Sequence, residues 1–118
     1  MEATFEGVIA DLREPTRQLR RAIPEVWEGF AAMHRAAVAD GVVPARLKEL
    51  VALAIAVTKE CDGCIAYHAR AAARQGASRE EAAEVLGVTL LMAGGPASVW
   101  APRALAAFEE FAADEAAA

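Results

Sequence analysis

Residues 49–68, ELVALAIAVTKECDGCIAYH, hold both cysteines of the chain, one of its two histidines and a carboxylate at the head of an uncharged apolar run. The run, residues 50–57, is apolar on every side of a helix, which marks a buried helix. Thr58-Lys59-Glu60 interrupts it, and Cys61-x-x-Cys64-x-x-x-His68 follows. The stretch therefore requires a buried helix tied by a short connection to a second helix that carries reactive side chains. Other helices must cover the first.

A chain of 118 residues argues for one domain, spanning 1–118. Its apolar share is 56%, yet only 6% is aromatic. Roughly 30 residues are alanine, the best helix former. No segment alternates as a strand, so the expected class is all-α with about six helices. Alanine buries little area, so the core should be thin, and part of the apolar surface is expected to be covered between subunits.

The net charge of −5 and scattered arginines, with Lys48 and Lys59 the only lysines, give no basic stripe for nucleic acid. The start of the chain lacks the basic and apolar regions of a signal peptide. Residues 50–57 are too few to span a bilayer, and the uncharged stretch 88–102 is broken by Gly94, Gly95 and Pro96. A cytoplasmic protein with no membrane partner is expected. In a reducing cytosol a close cysteine pair points to catalysis or metal binding more than to a structural staple.

Along the chain, residues 2–13 read as an amphipathic helix with Phe5, Ile9 and Leu12 near one face, ended or kinked by Pro15 and followed by a short helical piece through Leu19. Pro24 fits the first position of a helix over 24–40, stopped by Gly41. Trp27, Phe30, Met33 or His34, Ala37 and Val38 form its apolar face. Pro44 opens a third helix, 44–57. Thr58 is the candidate N-cap of a fourth that runs to Gln75, with Gly76 beyond it. Ser78 and Glu81 form a capping box for a fifth helix, to Ala93, burying Ala82, Val85 or Leu86, Thr89 and Leu90. Pro96 starts the last helix. Pro102 should kink or split it, with Leu105, Phe108 and Ala112 on the apolar face beyond. The tail 112–118 should fray.

On a helix, Cys61, Cys64 and His68 fall within about 60° of one another. Cysteines at i, i+3 can close a disulfide, and an imidazole at i+4 can meet the Cys64 thiol. A helix N-terminus lowers a thiol pKa, and the thiolate is the nucleophile. Glu49, set among Leu47, Leu50, Val51 and Leu53, is poorly placed for a lone carboxylate. If the chain reverses at 58–60, Glu49 lies about 15 Å and His68 about 10 Å from the turn. The Glu49 side chain plus a water could then join a relay Glu49–His68–Cys64.

Other readings stand beside this one. The cysteines could be small hydrophobes. Zinc could take Cys61, Cys64, His68 and Glu49, although structural zinc usually brings two separated cysteine pairs, so no metal is assigned. Haem attachment needs His directly after the second cysteine, where Ile65 stands. His34 reads as a boundary histidine, or as a second active-site imidazole. Trp27, Trp100 and Tyr67 read as core or subunit contacts. Residues 94–96 read as a helix break rather than a phosphate loop.

Glu49 with Cys61-x-x-Cys64-x-x-x-His68 resembles the carboxymuconolactone decarboxylase family, in particular its alkylhydroperoxidase D (AhpD)-like branch, over residues 44–111. The resemblance implies an all-helical fold whose subunits form homotrimers or homohexamers. It implies a thiol peroxidase that needs no bound cofactor, with Glu49, Cys61, Cys64 and His68 as catalytic residues. Cys64 would attack a hydroperoxide, Cys61 would resolve the sulfenic acid, and a dithiol donor such as a lipoylated protein would return the electrons. This chain carries one motif where AhpD proteins have two repeats, and Gly63 stands where some relatives place a polar or aromatic residue. Two alternatives follow from the same resemblance. One is a lyase acting on a muconolactone-like acid, for which Arg70 and Arg74 turn progressively off the His68 face. The other is a redox-sensing oligomer without turnover.

Overall fold

The computed structural model describes residues 4–118, all helical or connecting, as expected. Six helices follow in order: α1 Phe5–Ala22, α2 Pro24–Val38, α3 Ala45–Thr58, α4 Asp62–Arg74, α5 Arg79–Ala93 and α6 Gly95–Ala117. The expected start of the first helix at residue 2 lies outside the described residues. Among the described residues, no helix is long and apolar enough to cross a membrane.

Neither Pro15 nor Pro102 ends or splits its helix. Pro15 lies inside α1. The Glu14 carboxylate accepts from Arg17 and Gln18, both at 2.6 Å, and so bridges the turn that follows the missing N–H. Pro102 lies inside α6, exposed, with buried Ala97 and Ala101 before it and Ala104, Ala107 and Phe108 after it. Packing on both sides keeps the helix continuous, and tertiary contact offsets the local cost. The alanine tail stays helical to Ala117.

The Ser78–Glu81 capping box is complete, with both reciprocal bonds present. Pro44 is the N-cap of α3 rather than its first residue. Thr58 is not a cap: it closes α3, donating its hydroxyl to the Ile55 carbonyl at 2.8 Å.

The core is a single cluster built on alanine, with Leu50, Leu53, Val57, Ile65 and Phe108 its largest fully buried side chains. Ala66, Ala69, Ala72 and Ala73 of α4 and Ala97, Ala101, Ala104 and Ala107 of α6 are all buried, and these two helices make the most extensive pairing. Small side chains let the backbones approach closely. Leu86 rather than Val85 is buried on α5, and Leu90 is exposed.

Two expected burials fail within one chain. Helix α2 has no buried residue: Phe30 and Met33 are 54% and 63% exposed. Helix α3 is covered on one side only, leaving Val51 and Ile55 open. A short alanine-rich chain has too little apolar volume to wrap every helix.

Two outcomes test this account. Ala104→Leu should destabilise by about 1–3 kcal/mol in urea unfolding, because the α4–α6 seam has no room for the added volume. The second concerns Glu81, whose carboxyl is held below the ordinary range first by the Ser78 backbone N–H and then by Arg46. A carboxyl depressed in the folded state adds stability above its unfolded pKa and loses it as pH falls through the folded pKa. Wild type should therefore exceed Glu81→Gln in stability at neutral pH, and the two should converge in acid.

Candidate active site

The connection between α3 and α4 builds the site. Glu60 takes a left-handed conformation (φ 54°), and the Cys61 backbone N–H donates to the Ala56 carbonyl at 3.2 Å. This reverses the chain and brings α4 back along α3. Cys61 itself caps α4: its Sγ accepts from the Cys64 backbone N–H at 3.2 Å. Asp62 in the first turn accepts from Arg103 of α6 at 3.2 Å and ties the helix start to the core.

Cys61 and Cys64 form a disulfide, with Cα atoms 5.3 Å apart. Cys64 is exposed and Cys61 half-buried. A cysteine freed at this helix terminus faces unpaired N–H groups and the positive end of the helix dipole, which favour a thiolate. Gly63 suits the close packing here, since a Cβ at that position would lie 3.0 Å from Cδ1 of Leu12 on α1.

Glu49 is 3% exposed and reaches His68 directly. Its Oε1 and Oε2 lie 3.4 and 3.5 Å from His68 Nδ1. The expected bridging water is therefore not needed: the glutamate side chain spans the offset between the helices alone. Oε1 has no hydrogen-bond partner among the described residues. His68 sits one turn after Cys64 on the same face, so carboxylate, imidazole and sulfur follow one another across two helices.

His34 belongs to this cluster rather than to a remote boundary. Its ring stacks on Phe30 at 6.5 Å and meets His68 edge-on at 6.0 Å. The signal was the stripe Trp27, Phe30, His34 on one helical face, which reads as an exposed aromatic track ending in an imidazole. Trp27 and Tyr67 also line a cavity here, and Tyr67 packs against the core as well.

That cavity, about 820 Å³, opens onto the disulfide, Glu49, His34 and His68. Leu12 and Thr16 of α1 and Trp27 and Phe30 of α2 supply much of the rest of its wall. Arg70 and Arg74 also line it, although their helical positions suggested that they turn away. Burial, and then the like charge of Arg74, lower the Arg70 pKa. The Arg70 guanidinium stays charged at the cavity edge, and Arg74 pairs with Glu115 at 3.8 Å.

The sequence profile of the carboxymuconolactone decarboxylase family matches residues 24–110. The chain belongs to this family. It is 44% identical over 101 residues to an uncharacterized protein of Cupriavidus necator, covering 83% of this chain and 89% of that one. Among solved structures it resembles an apo carboxymuconolactone decarboxylase family protein of Legionella pneumophila, with TM-score 0.88 and 40% identity over 92% of this chain and 96% of that one. It also resembles a Thermotoga maritima family member described as a candidate for the antioxidative response, with TM-score 0.77, 28% identity and 91% coverage of both chains. The likeness to family structures extends over nearly the whole chain, so α1, outside the matched profile, is part of the shared architecture.

A buried carboxylate oxygen without a hydrogen bond is costly, and a hydrophobe of similar size in its place removes that cost without opening a cavity. Glu49→Leu should accordingly unfold at the same urea concentration as wild type or a higher one. A loss of more than about 2 kcal/mol would make the carboxylate a structural element instead.

Proposed function

We propose that this carboxymuconolactone decarboxylase family member is a thiol-dependent peroxidase of the alkylhydroperoxidase D-like kind. The observation that carries the proposal is the contact of the buried Glu49 carboxylate with His68, one helical turn from a cysteine pair at a helix N-terminus. In the reduced enzyme, Glu49 orients His68, and His68 takes the Cys64 proton. The Cys64 thiolate attacks the terminal peroxide oxygen, and the O–O bond breaks. The leaving alkoxide takes the proton from His68 and departs as an alcohol. Cys64 is left as a sulfenic acid, which the Cys61 thiol attacks, forming the disulfide and releasing water. A dithiol donor, such as a lipoylated protein, then returns both thiols by exchange and leaves as its own disulfide.

The role of Cys64 as attacking thiol fits its exposure, and that of Cys61 as resolving thiol fits its half-buried cap position. The apolar walls of the cavity suit an organic hydroperoxide in preference to hydrogen peroxide. The exposed apolar side chains of α2, α3 and α5, including Val26, Met33, Ile55 and Leu91, support assembly into a homotrimer or homohexamer.

Arg70 and Arg74 in the cavity wall favour a second reading, a lyase acting on a lactone acid whose carboxylates pair with the guanidiniums. The cysteines separate the two. Cys64→Ser should lower peroxide turnover on the order of 10³-fold or more, and Cys61→Ser should accumulate a Cys64 sulfenic acid that dimedone traps. His68→Ala should cost about 10²–10⁴-fold. Undiminished turnover by the Cys61→Ser, Cys64→Ser double variant would overturn the peroxidase reading and leave the lyase.

A further inference from the structure

Three side chains from three helices converge on one point beside the disulfide: His34 of α2, Glu49 of α3 and His68 of α4. One ligand atom from each lies within 4.8 Å of the other two. We propose that these residues form a binding site for a divalent transition ion of the zinc class, distinct from any site using the cysteines.

The carboxylate is the strongest argument. Glu49 is almost wholly buried, and its Oε1 has no hydrogen-bond partner among the described residues. The contact to His68 leaves one carboxylate oxygen unpartnered, and a divalent cation would both ligate it and offset the buried negative charge. The donor set is the second argument. Two imidazoles and one carboxylate are borderline ligands that suit zinc and its neighbours and suit magnesium or calcium poorly. Three protein ligands leave a fourth position open, the arrangement of a reactive rather than a structural metal.

Geometry supplies the third argument. Ligands of one tetrahedral zinc lie about 3.4 Å apart, and the Glu49–His68 separation of 3.4 Å already meets this. The ring of His34 is exposed and lies against the rings of Phe30 and His68, so a side-chain rotation can close the remaining distance. The three residues line the same open cavity, which gives an ion an entry path.

A consequence rests on the peroxidase reading given above. An ion on His68 occupies the imidazole lone pair that would take the Cys64 proton, so metal binding holds the dithiol idle. Binding itself does not depend on that reading.

The test uses the full chain in its disulfide form, stripped of metal by a chelator that is then removed. In that form neither sulfur is a thiolate, so cysteine ligation is silenced. Titration with Co2+ alone should give one ion per chain with the visible absorption of a low-coordinate nitrogen–oxygen site, displaced by Zn2+. His34→Ala, at an exposed position, should weaken Co2+ binding at least about tenfold. Glu49→Gln should do the same, and the Cys61→Ser, Cys64→Ser double variant should bind as wild type does. Absence of Co2+ binding by the disulfide form, undiminished binding by His34→Ala, or loss of binding only in the double cysteine variant would each overturn the site. If binding holds while the loaded, reduced enzyme turns over peroxide at the rate of the metal-free enzyme, the consequence for the dithiol fails and the site stands.

Discussion

The contact between Glu49 and His68 is the interaction on which the site depends. A carboxylate inside an aliphatic helix costs free energy unless something charged or polar meets it. Here an imidazole carried by the next helix meets it at 3.4 Å. That pairing demands that α3 and α4 lie side by side with a set offset, and the three-residue connection between Thr58 and Asp62 provides it. The left-handed Glu60 and the Cys61 N–H bond to Ala56 are local devices for one long-range result.

Helix α4 then serves two ends. Its N-terminal turn presents the cysteines to the cavity, with Cys61 as its own cap. Its alanine face is buried against α6, and Asp62 reaches Arg103 on the same neighbour. Small side chains along that seam let α4 and α6 approach closely, so the cysteine pair starts a helix that is well packed along its length. Helix α1 and the largely exposed α2 supply much of the cavity wall.

Much of this was legible in the sequence. Helical periodicity, the Ser78–Glu81 capping box, Pro24 at a helix start and the glycines at 76 and 94 gave the element order. The spacing of Cys61, Cys64 and His68 gave one face of one helix, and the misfit of Glu49 among leucines gave its partner. What escaped has physical reasons. Pro15 and Pro102 disfavour a helix locally, but packing of α1 through Phe5, Val8 and Ile9 and burial on both flanks of Pro102 keep each helix continuous. Thr58 has the chemistry of a cap, yet caps follow backbone conformation, which was set by Glu60. His34 could not be placed because its neighbour His68 is 34 residues away along the chain, and only the fold brings the rings together. The place of Arg70 and Arg74 in the cavity lining escaped for a related reason: they turn away from His68 on α4 but toward the space that α1 lines.

The central claim is that Cys61 and Cys64 act as a peroxide-oxidised pair under the control of Glu49 and His68. Intact mass of the fully reduced chain, before and after one equivalent of an organic hydroperoxide, tests it most directly. The account predicts the loss of two hydrogens with no oxygen retained and both thiols gone, and a much slower change in Glu49→Gln. An unchanged mass with both thiols still titratable would contradict it.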